Sequence, residues 1–206
     1  MSYKSVFKPD LFRDQLVVVT GGGSGIGRCT AHELAALGAT VVLTGRQLEK
    51  LERVATEIED DGGTADYLSF DIRDDAIVAE KVAEILQCHG KIDGLVNNAG
   101  GQFPARLEDI SQNGWNAVVA TNLTGGFLVS REVYKQWMKG NGGSIVNIIA
   151  DMWRSMVEMG HSGAARAGML SFTETAAVEW GPDGVRVNAV APGWIASSGF
   201  DSYEDP

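Results

Sequence analysis

Thr20-Gly21-Gly22-Gly23-Ser24-Gly25-Ile26-Gly27 decides how this chain folds. The stretch follows a short apolar run, residues 16–19, and opens a helical pattern over residues 26–37. A strand that feeds a helix through a glycine turn gathers unpaired N–H groups and the partial positive charge of a helix N-terminus in one place. That is an arrangement suited to a pyrophosphate. Gly21 lets the chain turn sharply off the strand, Gly25 removes a side chain where a dinucleotide must approach, and Gly27 lets the helix pack close on the sheet. Ser24 and Ile26, between these glycines, join them as candidate dinucleotide contacts. The spacing is T-G-x-x-x-G-x-G rather than G-x-G-x-x-G. A glycine-rich turn alone says little, so the strand-to-helix context carries the reading.

Outward from this loop the chain alternates. Further apolar runs at residues 40–44, 67–70, 94–97, 144–149 and 185–190 read as strands. Between them lie helical patterns at 48–59, with Leu51, Val54, Ala55 and Ile58 on one face, and at 75–88, 115–139 and 162–180. Strands apolar throughout and separated by helices imply an α/β fold with a parallel sheet covered on both faces, doubly wound in the Rossmann manner. No repeat or low-complexity linker interrupts the series, so residues 1–206 read as a single dinucleotide-binding domain.

The 206 residues are 44% hydrophobic and 21% charged, a globular composition long enough to bury a core without disulfides or metal. The 26 glycines follow no G-x-y period, which excludes collagen. A formal charge of −10 with no basic stripe argues against a nucleic-acid partner, and an anionic ligand would need a local basic pocket set against the global field. Cys29 and Cys88 form no C-x-x-C, and no Cys/His cluster has metal-ligand spacing. The N-terminus lacks an apolar h-region, and no apolar run approaches the roughly 18 residues of a membrane span. Two reduced thiols in a cytoplasmic protein, with no metal and no membrane partner, is the expectation.

The glycine loop, Asn97-Asn98-Ala99-Gly100 after the fourth strand, Asn122 in the long helix and Pro192-Gly193 after the sixth strand recur in this order in one family. The chain resembles the short-chain dehydrogenases/reductases from about residue 14 to residue 199. The resemblance implies that the end of the second strand reads the adenosine ribose. An acidic residue there would select a free 2′-hydroxyl. Here that position is Gly45, followed by Arg46, whose guanidinium suits a 2′-phosphate and implies NADP(H). The alternative is a solvated arginine at the start of a helix. Asp71 and Ile72 match the family's adenine contacts, although Asp71 could instead cap the next helix, where Asp74 looks the better cap. By the same resemblance Asn98, Ala99 and Gly100 pass beneath the ribose, and Ile195 and Ser197 contact the carboxamide and diphosphate, following the Pro192-Gly193 turn.

Most of the family uses Asn, Ser, Tyr and Lys, the last two as Y-x-x-x-K on one helix face. Here His161-Ser162-Gly163-Ala164-Ala165-Arg166 stands in that region. Ser162 takes the tyrosine's place and Arg166 the lysine's, and the usual serine falls near Ile149; only Asn122 survives. A serine hydroxyl is a far weaker acid than a phenol, which disfavours carbonyl reduction by the usual route. The stretches 100–103, 122–125, 142–149 and 161–168 are similar to the peroxisomal trans-2-enoyl-CoA reductases, within the branch that also holds the 2,4-dienoyl-CoA reductases. In that branch hydride goes to a C=C conjugated with a thioester, so oxyanion stabilisation is the main requirement. The catalytic candidates are Asn122, Ser162 and Arg166, and Arg166 also holds the nicotinamide ribose. His161 is either a proton donor or a helix-starting histidine bonded nearby. Asp151, Met152 and Trp153 should face the cleft. Trp115, Trp137 and Trp180 read as core or interface.

The implied activity is hydride transfer from NADPH to an acyl-CoA-type thioester. Dienoyl-CoA or carbonyl/alcohol chemistry is the first alternative, and a non-catalytic NADP-binding protein the second. The resemblance also implies a homo-oligomer, a dimer or a tetramer. Family members continue to a seventh strand, which this sequence does not supply before Pro206. The sixth strand is therefore expected at an edge and the chain to be C-terminally incomplete.

Overall fold

A computed structural model of the protein describes residues 3–196. The apolar runs become β1 (Leu16–Thr20), β2 (Thr40–Gly45), β3 (Thr64–Ser69), β4 (Gly94–Asn97), β5 (Gly143–Ile148) and β6 (Val185–Val190). All pair in parallel, in the order β3-β2-β1-β4-β5-β6. The helices are α1 (Gly25–Ala36), α2 (Leu48–Asp60), α3 (Asp75–His89), α4 (Gln112–Val119), α5 (Gly125–Val133), α6 (Lys139–Asn141) and α7 (Gly160–Trp180).

Alternate strand residues serve the two faces. Val17, Val19, Val41 and Leu43 pack with Leu51, Val54, Ala55 and Ile58, the stripe expected on α2, and with Ala31 and Ala35 of α1. Leu16, Val18, Val42, Leu95, Ile145 and Val187 point the other way, onto Val78, Val82 and Ile85 of α3, Leu128 and Val129 of α5, and Ala176 and Trp180 of α7. Trp180 also stacks on Tyr134, ring centroids 4.3 Å apart. Trp137 packs against the same cluster, whereas Trp115 is exposed. Buried on both faces, the central strands carry no polar alternation, and so read as continuous apolar runs.

Three boundaries differ from expectation. The third strand starts at Thr64 rather than residue 67, because Thr64, Ala65 and Asp66 pair with Thr40, Val41 and Val42 although they form a half-wet edge strand. The long helix starts at Gln112, where Ser111 caps it by accepting from the Gly114 N–H at 3.1 Å. It is not uniform: π turns at Ala120–Thr124 and Tyr134–Met138 separate α4, α5 and α6. The last helix starts at Gly160, so His161 and Ser162 lie in its first turn.

Strand order reverses at β1, which has β2 on one side and β4 on the other. The loops after β1, β4, β5 and β6 therefore open at one end of the sheet around a switch point, where ligands of such folds bind. Among the described residues β6 is an edge strand. A buried polar seam joins the elements behind this end. Asn97 Nδ2 donates to Ser130 Oγ at 2.7 Å and to Asn147 Oδ1 at 2.8 Å, and Asn147 Nδ2 donates to Thr173 Oγ1 at 2.8 Å. It ties β4, β5, α5 and α7 in one relative position.

Candidate active site

The glycine loop behaves as its sequence requires. Gly21 has φ 66° and turns the chain off β1. A Cβ at Gly27 would run into the carbonyl oxygen of Gly21 and Nδ2 of Asn98, so its close packing is against the loops rather than, as expected, against the sheet. Ser24 is the N-cap of α1 but makes no side-chain cap bond, and the first turn holds no acidic residue. The leading N–H groups of α1 thus meet an uncapped, positive helix end. Thr20 and Asn98 stitch this loop to the loop after β4. Thr20 Oγ1 accepts from the N–H groups of Asn98 and Ala99, both at 3.0 Å, and Asn98 Nδ2 donates to the carbonyls of Thr20 and Gly21. The side chain of Asn98 is therefore spent on the scaffold, and its position is a positioning one, whereas Ala99 and Gly100 line the groove.

One groove runs from Gly21 and Ser24 past Arg46 to Asp71, Ile72, Ala99 and Gly100. Lys50, Gln47, Arg73 and Thr121 also line it and went unrecognised in the sequence. Lys50 is in the first turn of α2, whereas Arg46 precedes the helix, so no helical spacing links the two in the sequence. Arg46, Lys50 and Arg73 make a local basic wall in a chain of charge −10. Asp71 is gripped by Arg73, whose Nε donates at 2.9 and 3.0 Å to the two carboxylate oxygens. That bond, helped by the charge of Arg46, holds its carboxyl below the usual range. Asp74, not Asp71, caps α3, accepting from the Ile77 N–H at 3.1 Å. Ile72 is largely core, set against Gly125, and shows the groove only an edge. A second groove joins Ser24, Gly25 and Ile26 to Pro192 and Ile195 across the N-terminus of α1. Gly193 is exposed between these last two; Ser197 lies outside the described residues.

The catalytic candidates converge. Asn122 sits in the first π turn, the kind of local widening of a helix that re-aims a side chain at functional sites. Its Oδ1 accepts from the Gly101 N–H and its Nδ2 donates to the Gly101 carbonyl, both at 2.9 Å. Arg166 Nη2 donates to Asn122 Oδ1 at 3.3 Å, and Nη1 to the Ile148 carbonyl at 2.7 Å. Nε of Arg166 is sealed from solvent without a partner, and among the described residues no carboxylate pairs with this guanidinium. Burial alone lowers its pKa to about 10, which leaves it charged at neutral pH. A Cβ at Gly100 would strike the same guanidinium and Asn122 Oδ1, so any larger residue here would displace that pair.

Ser162 Oγ donates to Gln102 Oε1 at 2.5 Å and accepts from Asn122 Nδ2 at 3.5 Å. Gln102 belongs to a stretch singled out for its resemblance, but its role was not legible. His161 is 0% exposed, takes the Ser162 N–H on Nδ1 at 3.0 Å and packs edge-on to Phe103. Its Nε2 is sealed and unpartnered. It is a helix-starting histidine held inside the protein rather than a donor facing the cleft. Asp151 and Trp153 are exposed after β5, Phe103 after β4, and Trp194 and Ile195 after β6, so aromatic and aliphatic side chains rim the open end of the sheet.

A family model described as short chain dehydrogenase matches residues 15–205. A peroxisomal 2,4-dienoyl-CoA reductase of Danio rerio, (3E)-enoyl-CoA-producing, is 39% identical over 98% of this chain and 67% of its own length. A probable 2,4-dienoyl-CoA reductase of Bacillus subtilis is also 39% identical, over 89% of this chain and 73% of its own. Among solved structures, a citronellol catabolism dehydrogenase of Pseudomonas aeruginosa superposes with TM-score 0.91 and 62% identity, covering 93% of this chain and 79% of that one. One described as a putative NAD(P) dependent gluconate 5-dehydrogenase of Beutenbergia cavernae, with bound NADP at low occupancy, has TM-score 0.88 at 33% identity, covering 95% and 78%.

Proposed function

Since the chain belongs to the short chain dehydrogenase family, and is an oxidoreductase of that family, we propose that it reduces the activated C=C of a 2-enoyl-CoA-type thioester with NADPH. The observation that carries this reading is the replacement of a phenol and a lysine by Ser162 and an unpaired, largely buried Arg166. Such a pair is ill suited to protonating an alkoxide and well suited to stabilising charge that develops on a thioester oxygen. The 2,4-dienoyl-CoA reductase relatives and the apolar rim after β4, β5 and β6 support an acyl-thioester substrate.

The groove suits a dinucleotide: Gly21, Gly23 and Gly100 leave its lining free of side chains at those positions, and its far end is basic. Gly21, Ser24, Gly25, Ile26 and Gly27 would hold the diphosphate on the N-terminus of α1, and Pro192, Gly193 and Ile195 would flank the nicotinamide end. Asp71, Ile72, Ala99 and Gly100 would line the adenosine end, and Arg166 would reach the nicotinamide ribose. Bound NADPH supplies the hydride. We assign Arg46 and Lys50 to a 2′-phosphate. Arg46→Asp should cut the preference for NADPH over NADH at least about tenfold, read as the ratio of kcat/KM for the two cofactors; an unchanged ratio would remove Arg46 from that role.

Ser162→Ala should lower kcat by about tenfold to a hundredfold while the NADPH dissociation constant stays put. Unchanged turnover would end the serine's part in the reaction. The founding experiment is NADPH consumption with a medium-chain trans-2-enoyl-CoA, with a 2,4-dienoyl-CoA and a ketone as controls and cofactor binding read in the same sample. A second reading has its own observation, the 62% identity to a citronellol catabolism dehydrogenase, and predicts turnover of a branched alcohol or aldehyde instead. Binding without any turnover would favour a non-catalytic role.

The described residues build one sheet, and we take the chain as a single cofactor-binding domain. Phe127 of α5 and Val178 of α7 are exposed apolar side chains, which supports a homo-oligomer through these helices; sedimentation would count its subunits. Among the described residues no helix is long and apolar enough to cross a membrane. The exposed free thiols of Cys29 and Cys88 favour a reducing compartment, and we place the protein in the cytoplasm.

A further inference from the structure

The hydrogen bonds around Ser162 allow only one direction of donation. Asn122 is fixed first, because the N–H of Gly101 must meet its Oδ1 and the carbonyl of Gly101 must meet its Nδ2. An amide locked this way turns its remaining Nδ2 hydrogen toward Ser162 Oγ. The hydroxyl, an acceptor on that side, has its single proton left for Gln102, and the 2.5 Å contact is to Oε1. A carboxamide that gives its oxygen to Ser162 turns its Nε2 the other way. Among the described residues that nitrogen has no acceptor, although Gln102 is half-buried.

Followed from the inside, the series starts at the unpaired guanidinium of Arg166, runs through Asn122 and Ser162, and ends at Gln102. Each link donates outward. Hydrogen bonds aligned head to tail polarise one another, and a cation at the start adds to the effect. The terminal N–H groups of Gln102 are therefore stronger donors than those of a glutamine in water. They stand at the C-terminal end of β4 beside Ser162, on the loop that carries Phe103 at the apolar rim.

We propose that Gln102 is a catalytic residue, whose Nε2 donates to the thioester oxygen of the substrate as negative charge develops there, at the end of a relay from Arg166 through Asn122 and Ser162. The inference rests on the acyl-thioester reading above. It gives Ser162 a different duty from the tyrosine it replaces. Its hydroxyl passes polarisation to a side chain sixty residues earlier and keeps its proton.

Two variants test it. Gln102→Glu keeps an oxygen for Ser162 and removes the donor; Gln102→Ala removes both. Each is measured for kcat and KM with a trans-2-enoyl-CoA, and for NADPH binding by fluorescence. The infrared carbonyl stretch of a saturated acyl-CoA bound with NADP⁺ gives a readout that needs no turnover. Both variants should lose about a hundredfold in kcat with NADPH affinity intact, and the carbonyl stretch, lowered in the wild type, should return toward its solution value. If Gln102→Glu matches the wild type while Gln102→Ala fails, Gln102 merely holds Ser162 and the proposal is overturned. An unshifted wild-type carbonyl overturns it as well. A wild type that reduces ketones or aldehydes but no enoyl thioester sinks the acyl-thioester reading itself and this inference with it, an outcome distinct from the other two.

Discussion

Gly27→Ala should lower the melting temperature by roughly 6–12 °C, the effect of about 3 kcal/mol of overpacking in a chain of this size, and weaken NADPH binding by at least about a hundredfold. The added methyl would collide with the Gly21 carbonyl oxygen and with Asn98 Nδ2. Neither can retreat cheaply. Asn98 Nδ2 is bonded to the carbonyls of Thr20 and Gly21, and Gly21 is held in its turn by a positive φ. Relief has to come from swinging α1 away from the loop, which separates the helix N-terminus from the bed where a pyrophosphate would lie. Thermal unfolding and a fluorescence titration with NADPH check both halves. A variant of normal stability and normal affinity would mean the loop yields in some other way.

Arg166→Met should have the opposite character: turnover and NADPH affinity fall by about a hundredfold to a thousandfold, while the melting temperature moves by less than about 4 °C. The guanidinium has no carboxylate partner, and burial lowers its pKa to about 10, so its charge is held at a cost to stability. Removing it returns that cost and forfeits two hydrogen bonds, to the Ile148 carbonyl and to Asn122. The two changes oppose each other in stability and act together against function. A methionine variant that unfolds well below the wild type would show Arg166 to be a structural strut. Cofactor affinity unchanged by the substitution would sink its place at the ribose.

What could be seen in the sequence follows from physics local to the chain. Strands buried on both faces carry unbroken apolar runs in place of alternation, so β1, β2 and β4 announce themselves, and the helix stripe of Leu51, Val54, Ala55 and Ile58 is a spacing. The start of β3 hides because an edge strand half in water has no reason to be apolar. The π turn beneath Asn122 leaves no mark, for no proline or unusual residue forces it. Asn122, Ser162 and Arg166 were legible as a group only through resemblance, and the structure brings them within one hydrogen-bonded chain. Gln102 and the stitching by Thr20 and Asn98 escaped notice because their partners arrive from sixty and nearly eighty residues away. A polar loop residue carries no periodicity that would reveal such a partner.

The sheet order sets the sequence of events as the chain is made. β1 acquires β2 and β3 on one side within its first 69 residues, but its other neighbour, β4, begins only at Gly94. On the ribosome, a growing chain thus carries Val17, Val18 and Val19 along an open edge while α3 is still emerging. The phosphate loop exists early, with its wall missing, and Arg166 joins last of the reacting groups. Nascent chains stalled with β3 outside the ribosome and β4 still within its exit tunnel are where aggregation should concentrate and where a chaperone that shields strand edges should bind best.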